Sequence, residues 1–162
     1  MEIIYEKADI NDIPKLTRFR LDYLEEDIGG VKEDERDIIE ERLPIYYSEH
    51  LNKDFHVYLA RKDGNIKNCG EIVGCCFLLV TEKPANPSFI NGLTGTILNV
   101  YVKPEYRRQG IAKNMMDKLL CDAKEMGLDY VELKATEQGR GLYESLGFED
   151  EVSKYYRMKK VL

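Results

Sequence analysis

The sequence predicts a mixed α/β fold of the α+β type, and three observations support this prediction. Residues 55–60, 72–80 and 94–102 are apolar runs of strand length. The third run is followed, after a short basic bend, by an amphipathic helix pattern over residues 109–126. A further strand pattern at residues 130–135 completes a strand–helix–strand unit, whose outer strands are expected to be parallel.

Composition and charge limit the classes of protein that fit. The chain has 162 residues, 43% of them hydrophobic and 33% charged, which suits one domain with a sizeable core. The formal net charge of -6 argues against a nucleic-acid partner and favours a cationic or small neutral substrate. The N-terminus lacks the features of a signal peptide and no apolar run could span a bilayer, so we expect a cytoplasmic protein with no membrane partner.

The chain opens with a strand and a helix. Residues 3–5 form a short apolar strand pattern. Asn11 is the expected N-cap of the following helix, with Pro14 in its first turn, where the missing amide donor does no harm. Gly29 and Gly30 are expected to end that helix.

A second helix is predicted from Glu33 to about Leu43. Its apolar residues Ile38, Ile39 and Leu43 are expected to face inward. Pro44 should kink or restart this helix, because proline removes one helical hydrogen bond.

The first two helices are rich in acidic residues and tyrosine. Most of these carboxylates are expected to form a solvated face. A minority could line a pocket for an amine, and the substrate-binding candidates in this region are Tyr23, Glu26 and Tyr47.

The middle of the chain is predicted to be sheet. Residues 55–60 alternate as in a half-buried strand, with His56 on its surface rather than in catalysis. Asp63 and Gly64 signal a turn. Residues 72–80 are almost continuously apolar, which predicts a central strand covered on both faces.

The cysteines argue against a metal site and a disulfide framework. Cys75 and Cys76 are neighbours in a strand, so their side chains point to opposite faces. Cys69 and Cys121 have no close partner, and neither histidine has metal-ligand spacing with any cysteine. Buried or half-buried thiols are therefore expected, with a nucleophilic cysteine as the alternative.

The bend before the long helix has the chemistry of an anion site. Pro104 ends the strand, Gly110 allows close approach of the backbone, and Ala112 keeps the surface small. Unpaired amides at the helix start attract a phosphate or pyrophosphate. Three basic side chains add positive charge there: Arg107, Arg108 and Lys113. The alternative is a plain strand–loop–helix connection with exposed basic residues.

A second distinctive segment covers residues 139–148. Leu142 and Leu146 fit a short helix, Gly147 stops it, and Phe148 is expected to anchor a following strand. Packing alone gives no reason for the hydroxyl of Tyr143.

Together the two segments resemble the GCN5-related N-acetyltransferase (GNAT) family. Its acetyl-CoA signature is Arg or Gln, two residues, Gly, one residue, then Gly or Ala, which Arg107, Gly110 and Ala112 match. Residues 142–148 are similar to the family's Leu-Tyr-Glu-x-Leu-Gly-Phe run, and the close resemblance spans residues 98–148. It implies one N-acetyltransferase domain over residues 1–162. The implied GNAT fold has a central mixed, mostly antiparallel sheet of six to seven strands, flanked by about four helices, with splayed central strands.

The resemblance also implies a cofactor site. Acetyl-CoA would be the co-substrate, and no metal is implied. The exposed backbone of Val100, Tyr101 and Val102 would pair with the pantetheine arm. The signature beginning at Arg107 would hold the pyrophosphate through the amides of its bend: Arg108, Gln109, Gly110, Ile111, Ala112 and Lys113.

The catalytic groups follow from the same resemblance. Tyr143 matches the tyrosine that protonates the departing coenzyme A thiolate, and the amide of Val100 would stabilise the oxyanion. Thr96 stands where the histone-modifying branch has a basic glutamate, and threonine cannot be that base. Glu132 resembles a glutamate of a ribosomal-protein-modifying branch, although the alignment needs a one-residue gap. The alternatives are a water relay and a solvent-facing Glu132.

Asn99 is a polar break in an apolar strand. It could orient water or substrate, and a hydrogen bond at the sheet edge explains it equally well.

The expected function is N-acetyl transfer from acetyl-CoA to a primary amine of a small molecule or peptide, by direct attack in a ternary complex. The alternatives are transfer of a longer acyl group and a non-catalytic acyl-CoA-binding sensor or scaffold. In this fold the first two helices and the loop over residues 84–92 would determine the acceptor. The resemblance also implies that a homodimer is one assembly open to the chain.

Overall fold

The computed structural model describes residues 2–62 and 70–162. The turn predicted at Asp63 and Gly64, and Cys69, lie outside these residues. No helix among the described residues is long and apolar enough to span a membrane.

Five strands form one mixed sheet in the order β1-β2-β3-β4-β5. All neighbours are antiparallel except β4 and β5, whose parallel pairing confirms the predicted strand–helix–strand unit. The strands are β1 (Ile3–Lys7), β2 (Phe55–Lys62), β3 (Glu71–Glu82), β4 (Leu93–Val102) and β5 (Tyr130–Glu132).

The described residues contain fewer strands than the six to seven expected. β5 has three residues instead of the six predicted, and no strand follows Phe148. Residues 149–162 are exposed, with Val152 98% accessible. The charged side chains of this segment bond to one another and to α4 instead. Arg157 donates to Glu151 at 2.8 Å, and Arg140 of α4 donates to Asp150 at 2.7 Å.

In the described part of the chain, four α-helices flank the sheet, in agreement with the predicted number: α1 (Ile13–Ile28), α2 (Glu33–His50), α3 (Ile111–Glu125) and α4 (Arg140–Ser145). The N-cap of α1 is Asp12 rather than Asn11, and Asp9 caps the turn that precedes the helix. The side chain of Asp9 accepts from Asn11 in a capping box on the 3₁₀ turn Ile10–Asp12, which leads directly into the helix. Pro14 lies in the first turn, as expected.

The second helix is longer than the sequence indicated. α2 runs through Pro44 without interruption to His50. Ile38 is exposed, so the prediction that it faces inward is wrong, whereas Ile39 and Leu43 are half-buried. The inward face continues beyond Pro44 to Tyr47, because α2 follows α1 across the sheet.

The core has two parts, one on each side of the sheet. The α3 side contains Cys76, Met115 and Leu119, and the α1–α2 side contains Cys75 and Phe77. The neighbouring thiols therefore point to opposite faces, as predicted.

Coverage on both sides also changes the environment of β2. Every residue from Phe55 to Arg61 is buried, so this strand is not half-buried as expected. His56 is only 7% exposed and is not a surface residue.

The splay between the central strands is confirmed. β4 and β5 pair only at Thr94–Tyr130, Gly95–Val131 and Thr96–Glu132. Beyond Thr96 the two strands diverge, which opens the sheet beside the start of α3.

Candidate active site

A cavity of about 1830 Å³ opens where β4 and β5 diverge. Four segments form its walls: the end of α1, the second half of β4, the bend before α3, and the region from β5 to residue 157. These segments bring together most of the residues predicted from the sequence: Tyr23, Glu26, Asn99, Val100, Tyr101, Val102, Arg107, Arg108, Gly110, Ile111, Ala112, Lys113, Glu132 and Tyr143.

Two predicted residues do not line this cavity, Gln109 and Tyr47. Gln109 lies in the bend but is exposed, and its side chain reaches back to the carbonyl of Glu105 at 3.5 Å. Tyr47 is 1% exposed and stacks on Phe55 with ring centres 5.8 Å apart. Tyr47 is therefore a core residue of the α1–α2 side.

The loop over residues 84–92 also lies away from the cavity. Its end is fixed by Asp129, whose carboxylate accepts the backbone amide of Asn91 at 3.0 Å. This contact holds the loop at the start of β4, whereas the cavity is formed by the second half of that strand.

The bend before α3 presents unpaired backbone amides. Arg108 and Gly110 both have left-handed backbones, with φ of 61° and 76°. The first amide that makes a helical hydrogen bond is that of Asn114, which donates to the carbonyl of Gly110 at 3.0 Å. The amides of residues 108–113 donate to no residue that the structure describes. Such a run of amides at a helix start attracts an anion.

The side chain of Arg107, beside this anion site, contacts both β4 and α1. Its Nε donates to the carbonyl of Val102 at 2.8 Å, and its Nη2 donates to Glu26 at 2.5 Å. The guanidinium also lies over the Tyr101 ring, 5.6 Å from its centre. A carboxylate of α1 therefore engages the Arg107 guanidinium, and the contribution of Arg107 to the charge of the anion site stays a prediction.

This contact defines the charge state of the end of α1. Burial opposes ionisation of Glu26, but hydrogen bonds from Arg107 and Tyr101 hold its pKa below the ordinary value. Burial, followed by the hydrogen bond to Glu26, raises the pKa of Tyr101 to about 12. At neutral pH the carboxylate is ionised and the phenol is protonated.

A β-bulge interrupts β4 inside the cavity. Cys75 pairs with Tyr101 but Phe77 pairs with Leu98, so β4 has one extra residue here. Asn99, at this bulge, has a left-handed backbone with φ of 53° and is 4% exposed. An asparagine in an otherwise apolar strand indicates such a bulge in the sequence, because asparagine adopts a left-handed backbone more readily than most residues.

Tyr143 lies on α4 on the opposite wall. Its half-buried ring packs edge-on against Phe148, with centres 6.0 Å apart. A Cβ atom at Gly139 would lie 3.1 Å from this ring, so the glycine makes room for it. Burial, followed by the proximity of Cys76 and Tyr23, raises the pKa of Tyr143 to about 12. The phenol therefore retains its proton at neutral pH.

Glu132 lies at the last pair before the strands diverge, opposite Thr96. A Cβ atom at Gly95 would meet Val131 on the α3 side, so the next pair, Thr96 and Glu132, faces the other side. Leu98, two residues beyond Thr96, is 40% exposed. Arg157 approaches Glu132 at 3.8 Å.

Comparison of the sequence with known families gives one result. A family described as acetyltransferase (GNAT) domain matches residues 53–150, which include β2 to α4. No protein in the search of curated sequences matches the chain.

Solved structures of the same fold cover nearly the whole chain. A predicted acetyltransferase from Clostridium acetobutylicum, solved with acetyl-CoA, is 27% identical, covers 98% of this chain and 96% of its own, and has a TM-score of 0.81. A GCN5-related N-acetyltransferase from Ralstonia eutropha JMP134 is 22% identical over 97% and 99% of the two chains, with a TM-score of 0.75. Glucosamine-6-phosphate N-acetyltransferase from Arabidopsis thaliana is 18% identical over 99% and 100%, with a TM-score of 0.66. The last two similarities concern the fold alone.

Proposed function

The chain belongs to the GNAT acetyltransferase family and is an acetyl-CoA-dependent N-acetyltransferase; on that premise we propose that its acceptor is a primary amine of a small molecule or peptide. The amine attacks the thioester directly, within a ternary complex of enzyme, acetyl-CoA and acceptor.

The run of unpaired amides at residues 108–113 carries this proposal. All of these residues except Gln109 line the same cavity as the strand edge of Val100, Tyr101 and Val102, and as Tyr143. A diphosphate fits the amides because they supply several donors and the positive end of the helix dipole. Among the residues that the structure describes, the β4 edge beyond Thr96 has no strand partner on the β5 side, and it suits an extended pantetheine arm.

The residues around the cavity divide the chemistry between them. As the amine nitrogen bonds to the carbonyl carbon and the carbon–sulfur bond breaks, Tyr143 donates its proton to the departing sulfur. The amide of Val100 stabilises the oxyanion. Glu132, or a water molecule that it orients, accepts the proton that the amine loses.

Charge favours a cationic acceptor. Asp27 and Glu132 approach the cavity from opposite walls, whereas Glu26 is already paired with Arg107. An ammonium group is attracted to these carboxylates before it loses its proton, while exposed Leu98 offers an apolar surface to the rest of the acceptor.

The test measures release of free thiol from acetyl-CoA with a panel of polyamines, amino sugars, amino acids and short peptides. We expect turnover with at least one cationic amine, and a lower kcat for Glu132→Gln that is most pronounced below the pKa of the acceptor. Calorimetry with coenzyme A accompanies the assay. Tight binding without turnover on any amine would favour the sensor, and faster turnover of a longer acyl-CoA would favour the other enzyme.

A further inference from the structure

Arg20 of α1 reaches across the molecule to the bulge of β4. Its Nη1 donates to the side-chain oxygen of Asn99 at 2.8 Å, over 79 positions of sequence. The guanidinium lies over the rings of Tyr23 and Phe77, 5.4 and 6.0 Å from their centres. These aromatic contacts fix the position of the donor.

The amide of Asn99 is held at both ends. While Arg20 binds its oxygen, its Nδ2 donates to the sulfur of Cys75 at 3.2 Å. Burial raises the pKa of the Cys75 thiol, so the sulfur remains neutral. A buried amide with both ends engaged has one defined orientation. These contacts offset the cost of the left-handed backbone, which asparagine adopts less readily than glycine.

The backbone of Asn99 determines the direction of the next peptide group, which carries the amide of Val100. No strand on the β5 side restrains β4 beyond Thr96, and on the β3 side the register shifts at this point. The geometry of the bulge therefore depends on the side chain of Asn99, and through it on Arg20.

We propose that Arg20 is a positioning residue for acetyl transfer: it holds Asn99 in the left-handed conformation that aims the Val100 amide at the thioester oxygen. This inference rests on the proposed function, in which that amide stabilises the oxyanion. Arg20 itself does not touch the reacting atoms.

The kinetic test compares Arg20→Met with Arg18→Met, a matched change on the same helix at an exposed residue. Arg20→Met should lower kcat about tenfold or more, because small errors in position are costly to catalysis. The KM for acetyl-CoA should change less than about twofold, because the diphosphate site is untouched. Equal kcat values for the two variants would overturn the proposal.

Rescue separates positioning from general damage. Glycine adopts a left-handed backbone without a side chain to anchor it. In an Asn99→Gly background, Arg20→Met should therefore lower kcat by less than about twofold. A loss as large as in the wild-type background would contradict the proposal. If Arg20→Met does not fold, Arg20→Lys takes its place, because the lysine ammonium can still donate to Asn99. Its kcat should lie between those of the wild type and Asn99→Ala.

A spectroscopic measurement tests positioning without turnover. The carbonyl stretch of bound [1-¹³C]acetyl-CoA should lie below its value in solution for the wild type and Arg18→Met, and return toward that value for Arg20→Met. An unchanged frequency in Arg20→Met would overturn the positioning role even if the enzyme turns over. A shifted frequency in a protein without turnover would support positioning while the proposed function fails.

Discussion

Tyr143 combines the properties that a proton donor needs at neutral pH. Its ring packs against Phe148 and lies beside Gly139, where a side chain would crowd it. Burial raises the pKa of Tyr143 to about 12. The phenol is protonated at the pH of the reaction and can transfer its proton once sulfur becomes negative.

Replacing this hydroxyl should affect the chemical step alone. Tyr143→Phe should lower kcat by about 10²-fold, the lower range for loss of a positioned acid, with little change in the KM for acetyl-CoA. Steady-state kinetics measure both constants. Tyr46→Phe is the control, because Tyr46 packs near His50 and does not line the cavity. Equal kcat values for the two variants would remove Tyr143 from the mechanism.

The pH profile tests the same assignment in the intact enzyme. Tyr143 acts in its protonated form, which persists until the pH approaches 12. The value of kcat/KM should rise as the acceptor amine loses its proton, with no fall between pH 7 and 10. A descending limb in that range that disappears in Tyr143→Phe would mean that the phenol has an ordinary pKa.

At the scale of elements, α3 is the helix on which the anion site depends. A glycine with a φ of 76° lies at each end of this helix: Gly110 at its start and Gly127 just past its end. A Cβ atom would meet nothing within 4 Å at either position. The two glycines therefore form a matched pair that differs in proximity to the cavity.

Gly110→Ala and Gly127→Ala should each destabilise the protein by about 1 kcal/mol, because alanine disfavours a positive φ. Only Gly110→Ala should weaken coenzyme A binding, by about tenfold, since it displaces amides of the diphosphate site. Urea denaturation and calorimetry measure the two effects. Equal loss of affinity in both variants would mean that the effect comes from stability.

The whole molecule is a sheet covered on both faces beside β2 and open where β4 and β5 diverge. Complete coverage of β2 places His56 in the interior, with no hydrogen-bond partner for its Nδ1 among the described residues. Burial, followed by the nearby charge of Lys7, lowers the pKa of His56.

Stability should therefore decrease in mild acid. The unfolded chain binds the proton of His56 more readily than the folded one, so this contribution is present above pH 6.5 and is lost as the pH falls. Urea denaturation at pH 7.5 and 5.5 should show a smaller decrease for His56→Gln than for the wild type. Arg18→Met, a change at an exposed residue, should keep the wild-type decrease. An identical decrease in all three proteins would exclude His56 as its source.

Local requirements were predictable from the sequence. Backbone and helix rules over a few residues predicted that Pro104 ends β4, that Gly110 lies in the bend and that α3 is amphipathic. The segment around Tyr143 was identified by its similarity to the family. These segments also carry the family resemblance, which therefore predicted the fold and the proposed diphosphate site together.

Tertiary packing determines which side chains meet across long sequence separations. Packing of α1 against β4 pairs Arg107 with Glu26 and Arg20 with Asn99, whereas the covering of both sheet faces buries His56 and Tyr47. Burial depends on which elements cover a residue, and charge depends on which partner approaches it. Neither quantity is encoded in the neighbouring residues, because distant segments of the chain supply both.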